Sequence, residues 1–218
     1  MATTPYPSTH RASARQRLHQ QVDQEKARTR KRRRITRIVT AVASVVVVGL
    51  VAFGLWSARA TDTTATGQAP AFTLKTTVGT TVSLSDYRGK PVLLYFNEGA
   101  GCGACTQQMA EIEKNPGFAR AGITVLPIVM NTADQIKPDL AQFGVKTPYL
   151  LDDGAVSKAY GVLGKGMHAN LPGHGFVLID ADGVQRWKGE YPSMWIDPGT
   201  LLKEAKSRCL LYTSPSPR

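Results

Sequence analysis

The chain has 218 residues and a formal net charge of +11 at neutral pH, with 42% apolar and 20% charged residues. That composition excludes a wholly disordered or fibrous protein and fits one domain of ordinary size with additional segments. The positive charge does not mark the folded part as a nucleic-acid binder. Residues 1–37 hold eleven Lys and Arg against Asp23 and Glu25, whereas residues 38–218 carry only +2.

Residues 1–37 read as a basic tail on the cytoplasmic side. Its simplest roles are a topology signal and a contact with lipid headgroups, and no nucleic-acid partner is expected. An uncharged run follows from Ile38 to Ala58, 21 residues long. About 20 residues of helix cross the hydrocarbon core of a bilayer. Trp56 stands near the far end of the run, where an amphipathic ring favours the interface. The cluster Arg28, Arg30, Lys31, Arg32, Arg33, Arg34 and Arg37 abuts the near end, and only Arg59 lies close on the other side. The positive-inside bias therefore predicts a single-pass cell-membrane protein with its C-terminal part outside the cytoplasm. Ala58-Arg59-Ala60 also fits a small-x-small cleavage site, but the run is longer than the usual apolar core of a signal peptide. The expectation is an uncleaved transmembrane helix over residues 38–58.

Residues 59–69 are rich in Thr, Ala and Gly and read as a short flexible linker. From Pro70 the pattern becomes globular. Phe72–Thr77 and Thr80–Leu84 alternate around Val78-Gly79, a hairpin signal. Val92–Phe96 is continuously apolar, as in a strand buried on both faces. Gly103–Lys114 is helix-like and ends at Asn115-Pro116-Gly117. Ile123–Val129 predicts a strand, with Pro127 placing its end at a bend or an edge. A helix over Asp134–Phe143 contains Pro138. A short strand begins at Tyr149, a short helix at Ala155, and Phe176–Ile179 with Val184–Trp187 frames an Asp-Gly hairpin. A last helix starts near Pro198. The order predicts a mixed α/β domain.

Cys102 and Cys105 stand between the apolar strand and the helix that follows it. Cys-x-x-Cys at a helix start can open and close as a disulfide, because the unpaired N–H groups and macrodipole there favour a thiolate. Cys102 is the expected nucleophile and Cys105 the sulfur that resolves the mixed disulfide. Glu98 is a candidate proton acceptor, and His174 a candidate contact of the sulfurs. A permanent disulfide is the plain alternative, but so short a loop adds little stability. A metal site of Cys102 and Cys105 with His168 or His174 is a second alternative. A third is an interaction domain with an incidental thiol pair. No cofactor is expected.

Cys209 makes the count odd. It opens the segment 209–218, Cys-Leu-Leu-Tyr-Thr-Ser-Pro-Ser-Pro-Arg, which matches the translation of a transposon-type sequencing adapter and is expected to be foreign to the protein.

The hairpin, the apolar strand, the cysteine pair opening a helix, Tyr149-Leu-Leu-Asp-Asp-Gly with Lys158-Ala-Tyr-Gly161, and Phe176-Val-Leu-Ile-Asp-Ala-Asp-Gly183 together resemble the thioredoxin-like superfamily. The branch they resemble is that of AhpC/TSA and TlpA-type membrane redoxins, over residues 70–208. The resemblance implies an N-terminal β-hairpin, a central mixed sheet flanked by helices, and thiol–disulfide exchange with extracytoplasmic protein thiols or disulfides. If the protein reduces its substrates, the resemblance implies a membrane electron carrier that recharges it; if it oxidises them, a quinone-linked or small-molecule oxidant does so. Pro172 stands where the family has a substrate-facing cis-proline. The chain departs from the pattern in having Gly101 for the usual Trp, Ala104 for the usual Pro, and no acid within Val92–Phe96. A peroxiredoxin alignment would make Cys105 the peroxidatic cysteine, with Glu98 and Cys102 in place of the signature Pro and Thr.

Overall fold

A computed structural model describes residues 9–57, 59–63, 67–164 and 169–213. The chain divides into two compact units, residues 1–57 and 58–218. The first is a single helix, α1 (Thr9–Ser57). Its segment Arg28–Trp56 is long and apolar enough to cross a membrane, and none of it is covered by protein. Ile38, Val39, Val42, Val45, Val48 and Leu55 are all more than half exposed, a continuous apolar surface that water solvates poorly.

In the second unit a nine-stranded sheet carries the fold. Its strands are β1 (Thr61–Thr63), β2 (Gly67–Gln68), β3 (Thr73–Thr76), β4 (Thr81–Ser83), β5 (Val92–Phe96), β6 (Thr124–Val129), β7 (Leu150–Leu151), β8 (Gly175–Ile179) and β9 (Val184–Glu190). The spatial order is β1-β9-β8-β5-β6-β7-β3-β4, with β2 also on β9. Strands β5, β6 and β7 run parallel, and β8 is antiparallel to β5. The helices are α2 (Gly103–Lys114), α3 (Gly117–Arg120), α4 (Ala133–Phe143), α5 (Ala155–Ala159) and α6 (Pro198–Thr213).

The period-2 geometry of β5 explains its unbroken apolar run. Leu93 and Tyr95 face a core completed by Met109 and Ile112 of α2, Ile136 and Leu140 of α4, and Leu201 and Ala205 of α6. Val92, Leu94 and Phe96 face the opposite core, with Phe72, Leu84, Val156 and Tyr160. All five side chains are buried, so each contributes about 1.5–3 kcal/mol of apolar burial and no face is left for polar residues.

Two expectations are corrected. Of the expected linker 59–69, the described segments Thr61–Thr63 and Gly67-Gln68 are not free. Thr61–Thr63 pair antiparallel with Lys188–Glu190, and Gly67-Gln68 pair with Val184 and Gln185, so the Thr-rich segment supplies the outer edge of β9. Pro127 lies neither at a bend nor on an edge strand, since β6 sits between β5 and β7. Ile128 C=O accepts from Asn97 beyond the end of β5, while Val129 C=O accepts from Asp152 on the β7 side. Backbone groups alternate in direction along a strand, so Pro127 faces the β7 side, where pairing begins only at Ile128. The missing N–H therefore removes no ladder bond.

Candidate functional site

β5 ends at Phe96, which is paired on both sides, with Ile128 of β6 and Gly175 of β8. The chain then turns through residues 97–101 into α2. The amides of Gly99, Ala100, Gly101 and Cys102 are each tied to a specific acceptor. Gly99 N–H donates to Asn97 Oδ1 at 3.1 Å and Ala100 N–H to Asn131 Oδ1 at 2.9 Å. Gly101 N–H donates to Asp139 Oδ2 at 2.8 Å, and Cys102 N–H to Gly99 C=O at 3.0 Å. Gly99 and Gly101 adopt φ of 79° and 89°, which only glycine accepts without strain. A Cβ at Gly99 would also overlap the Asn131 side-chain oxygen.

Cys102 is the N-cap of α2, and its carbonyl accepts from Cys105 N–H and Thr106 N–H at 3.0 and 3.2 Å. The two cysteines form a disulfide with a Cα–Cα distance of 5.3 Å. Cys102 is half-buried, whereas Cys105 is fully buried. A reagent approaching from solvent meets Cys102 first, and the helix N-terminus favours the thiolate there. Cys209 is not disulfide-bonded; it lies in α6 against the helix-side core, and burial pushes its thiol up.

Beneath the pair lies a feature that sequence reasoning did not assign to the site. Tyr95 Oη donates to Cys105 C=O at 2.9 Å and also meets His174 Nδ1 at 3.2 Å. Its ring stacks on Phe176 at 4.5 Å and meets the His174 ring edge-on at 5.1 Å. Tyr95 is the one hydroxyl in an otherwise apolar strand run, and that was the available signal. His174, a sequence candidate, does enter the site, but through Tyr95 rather than by a direct contact with sulfur.

Glu98 is half-buried in the loop, and the hydrogen-bond partner of Cys105 from β5 is Tyr95. Pro172 is buried, but its peptide bond is trans, so the expected cis-proline is not there. The segment 171–173 is taken up by pairing with 162–164. Gly164 N–H donates to Leu171 C=O at 2.7 Å, and Gly173 N–H to Val162 C=O at 2.9 Å. His168 lies outside the described residues. Among the described residues no cluster of three or more His, Cys, Asp or Glu side chains could hold a metal.

His174 is 3% exposed, and desolvation lowers its pKa to about 4 from the usual 6.5. In the unfolded chain the imidazole protonates near 6.5, so below that pH the unfolded state binds a proton that the folded state refuses. Stability from this residue is complete above about pH 6.5 and is lost as pH falls towards 4, by roughly 3 kcal/mol in total. Urea unfolding at pH 7.5, 5.5 and 4.5 should show that loss, and His174→Phe should shrink it. An equal acid slope in both proteins would refute the assignment.

With the geometry in hand, comparison with known proteins is specific. The AhpC/TSA family pattern matches residues 65–188. The chain belongs to the AhpC/TSA family. A Mycobacterium tuberculosis protein assigned as a peroxiredoxin is 33% identical over 131 residues, covering 57% of this chain and 83% of its own. The chloroplastic peroxiredoxin Q of Suaeda salsa is 34% identical over 119 residues, and the chain spans 55% of that protein. The fold is similar to that of Enterococcus faecalis AhpC, with a TM-score of 0.61 at 14% identity over 71% of this chain and 98% of the other. It is also similar to the peroxidoxin BcpB of Mycobacterium tuberculosis, with a TM-score of 0.56 at 18% identity over 69% and 99%. These redoxin neighbours and the disulfide place the chain among thiol-based oxidoreductases with a thioredoxin-like fold.

Proposed function

We propose that the protein is a membrane-anchored, extracytoplasmic thiol–disulfide oxidoreductase that works through the Cys102–Cys105 couple. The observation that carries the reading is the asymmetry of the pair: an accessible sulfur at the helix N-cap and a fully buried sulfur one turn inside the same helix. That arrangement suits attack by Cys102 on an outside disulfide and internal closure by Cys105. The uncovered apolar stretch of α1, preceded by a basic cluster, supports anchoring with the redox unit outside the cytoplasm. Exported protein thiols or disulfides are then the substrates, with a membrane electron carrier resetting the couple.

A second reading, peroxide reduction with Cys105 as the attacking sulfur, is favoured by the peroxiredoxin names of the relatives. Burial of Cys105 weighs against it, because peroxide must reach the reacting thiolate. One experiment separates the two. The detergent-solubilised chain, reduced and then offered insulin or hydrogen peroxide, should turn over insulin disulfides and react slowly with peroxide. Fast peroxide consumption with inert insulin would select the second reading. Protease treatment of intact cells should cleave the redox unit; its protection would overturn the orientation.

A further inference from the structure

Helix α4 holds the chain on both sides of Cys102. Gly101 N–H, in the residue before the cysteine, donates to Asp139 Oδ2 at 2.8 Å. Gly103, the residue after it, packs against the Phe143 ring, since a Cβ there would come 3.3 Å from Phe143 Cζ. Asp139 and Phe143 are four residues apart and so share one face of the helix. The helix that carries them is well anchored. Thr132 and Gln135 close a capping box at its start, Gly144 ends it in the left-handed region, and Ile136 and Leu140 are buried in the core. Asp139 thus fixes the exposed Gly101 from a rigid element.

The same contact brings a negative charge to the redox pair. With the carboxylate bonded to the preceding amide, covalent geometry keeps Asp139 Oδ2 within ~10 Å of Cys102 Sγ. A like charge at that range disfavours a thiolate. Both groups are half-buried, so salt screens them less than it screens two surface charges. Among the described residues no Lys or Arg side chain pairs with Asp139. The N-terminus of α2 pulls the other way. The other titratable groups on the surrounding elements are Glu98 in the loop, Asp134 and Lys137 on α4, and Tyr95 and His174 beneath the pair. Glu98 is a second acid. Asp134 and Lys137 do not share the Asp139 face of α4, and α2 has no charged residue before Glu111. Burial keeps Tyr95 and His174 neutral.

We propose that Asp139 positions Cys102 and, by its charge, biases the cysteine couple towards giving electrons to substrate disulfides. The proposal rests on the exchange reading above. A reduced pair is stabilised wherever its thiolate is, so an acid that disfavours the thiolate makes the pair a better electron donor. In that direction the Cys102 thiolate attacks one sulfur of the substrate disulfide, and the other substrate sulfur leaves with the electron pair. Cys105 Sγ then attacks Cys102 Sγ. The Cys102–Cys105 bond forms as the bond from Cys102 to the substrate breaks, and the second substrate sulfur leaves. Two electrons pass from the cysteine pair to the substrate. The two protons of the dithiol end on the two substrate sulfurs by way of solvent. Asp139 touches no reacting atom; it acts through the Gly101 amide and through its field.

Substitution separates position from charge. Asp139→Asn keeps an oxygen that accepts from Gly101 N–H and removes the charge. Asp139→Ala removes both, and alanine favours a helix, so the variant should fold. Asp134→Asn removes a charge from another face of the same helix and controls for net charge.

The test is the pH profile of Cys102 alkylation by iodoacetamide in the reduced, detergent-solubilised full chain, with the modified cysteine located by peptide mass. The equilibrium of the couple against glutathione is measured beside it. In Asp139→Asn the apparent pKa of Cys102 should fall by ~0.5–1 unit. Alkylation should become ~2–3-fold faster at pH below that pKa and slower above it, because a less basic thiolate is a weaker nucleophile. The glutathione equilibrium should move ~3–10-fold towards the dithiol at alkaline pH. Tm should stay within about 2 °C of wild type. Asp139→Ala should show the same shift and also reduce insulin disulfides ~10-fold more slowly at every pH, because the loop before Cys102 loses its hold. A wild-type profile and equilibrium in Asp139→Asn, or an equal shift in Asp134→Asn, would overturn the charge bias. An alanine variant as fast as the asparagine variant would overturn the positioning role. If wild type leaves insulin disulfides intact while the Asp139→Asn shift is present, the exchange reading fails and the electrostatic role stands. Insulin turnover by wild type without that shift sinks the inference alone.

Discussion

Cys102→Ser is expected to abolish turnover of insulin disulfides, bringing the rate to that of the uncatalysed reaction with the reductant. Cys105→Ser should behave differently. It should take up one substrate equivalent and stop as a stable mixed disulfide on Cys102, visible by mass on the intact chain. The asymmetry follows from the half-exposed N-cap position of Cys102 and the complete burial of Cys105. A nucleophile must meet its substrate, and only Cys102 is placed to do so. The resolving sulfur needs only to reach Cys102, and the 5.3 Å Cα separation allows that. The opposite pattern, with Cys105→Ser dead towards peroxide and Cys102→Ser still oxidised once, would select peroxidase chemistry. If both serine variants match wild type, the pair is a static bridge.

Gly99→Ala should be the most damaging small substitution near the site. Two independent costs add. An alanine at φ 79° carries roughly 1–2 kcal/mol of backbone strain. Its Cβ would also occupy the space of the Asn131 side-chain oxygen, displacing the acceptor that holds Ala100 N–H at 2.9 Å. Losing that bond in a half-buried loop adds about 1 kcal/mol. Unfolding should therefore shift by roughly 2–3 kcal/mol, or about 4–12 °C in Tm for a unit of this size. Exchange should fall further than stability predicts, by ~10-fold or more at a temperature where the variant is folded, because the loop sets the position of Cys102. Asn131→Ala, which removes the acceptor without adding a Cβ at residue 99, should reproduce the kinetic defect with less destabilisation. A Gly99→Ala protein with wild-type Tm and exchange rate would show that the loop does not position the cysteine.

Much of this was legible in one dimension because it depends on local physics. Val92–Phe96 had to be a doubly buried strand, since five consecutive apolar residues leave no polar face, and β5 has those bounds. The α2 helix runs from Gly103 to Lys114, where Asn115-Pro116 stops it. The Asp180–Gly183 turn closes as a hairpin because Asp180 Oδ1 accepts from both Asp182 and Val184 N–H, and Gly183 takes φ of 76°. Long-range partners were not legible. The Thr-rich stretch after α1 looked like a linker because nothing in it announces that β9 would have an open edge. Pro127 looked like a strand end because only the short reach of β7 makes its missing donor harmless.

The site divides in the same way. The sequence by itself determined that two thiols, three residues apart, open a helix after a buried strand, and that an apolar run long enough to cross a bilayer precedes them. Spacing and periodicity are local properties and survive without a fold. Only the tertiary structure decided which sulfur is exposed, that Pro172 stays trans, and that Tyr95 links Cys105 to His174 across 79 residues of chain. Those facts arise where β5 meets β8 in antiparallel register beneath α2, and burial there is set by neighbours that are distant in sequence. The cysteine pair could be read directly from the order of residues, but the closed polar layer under it exists only once the sheet has paired.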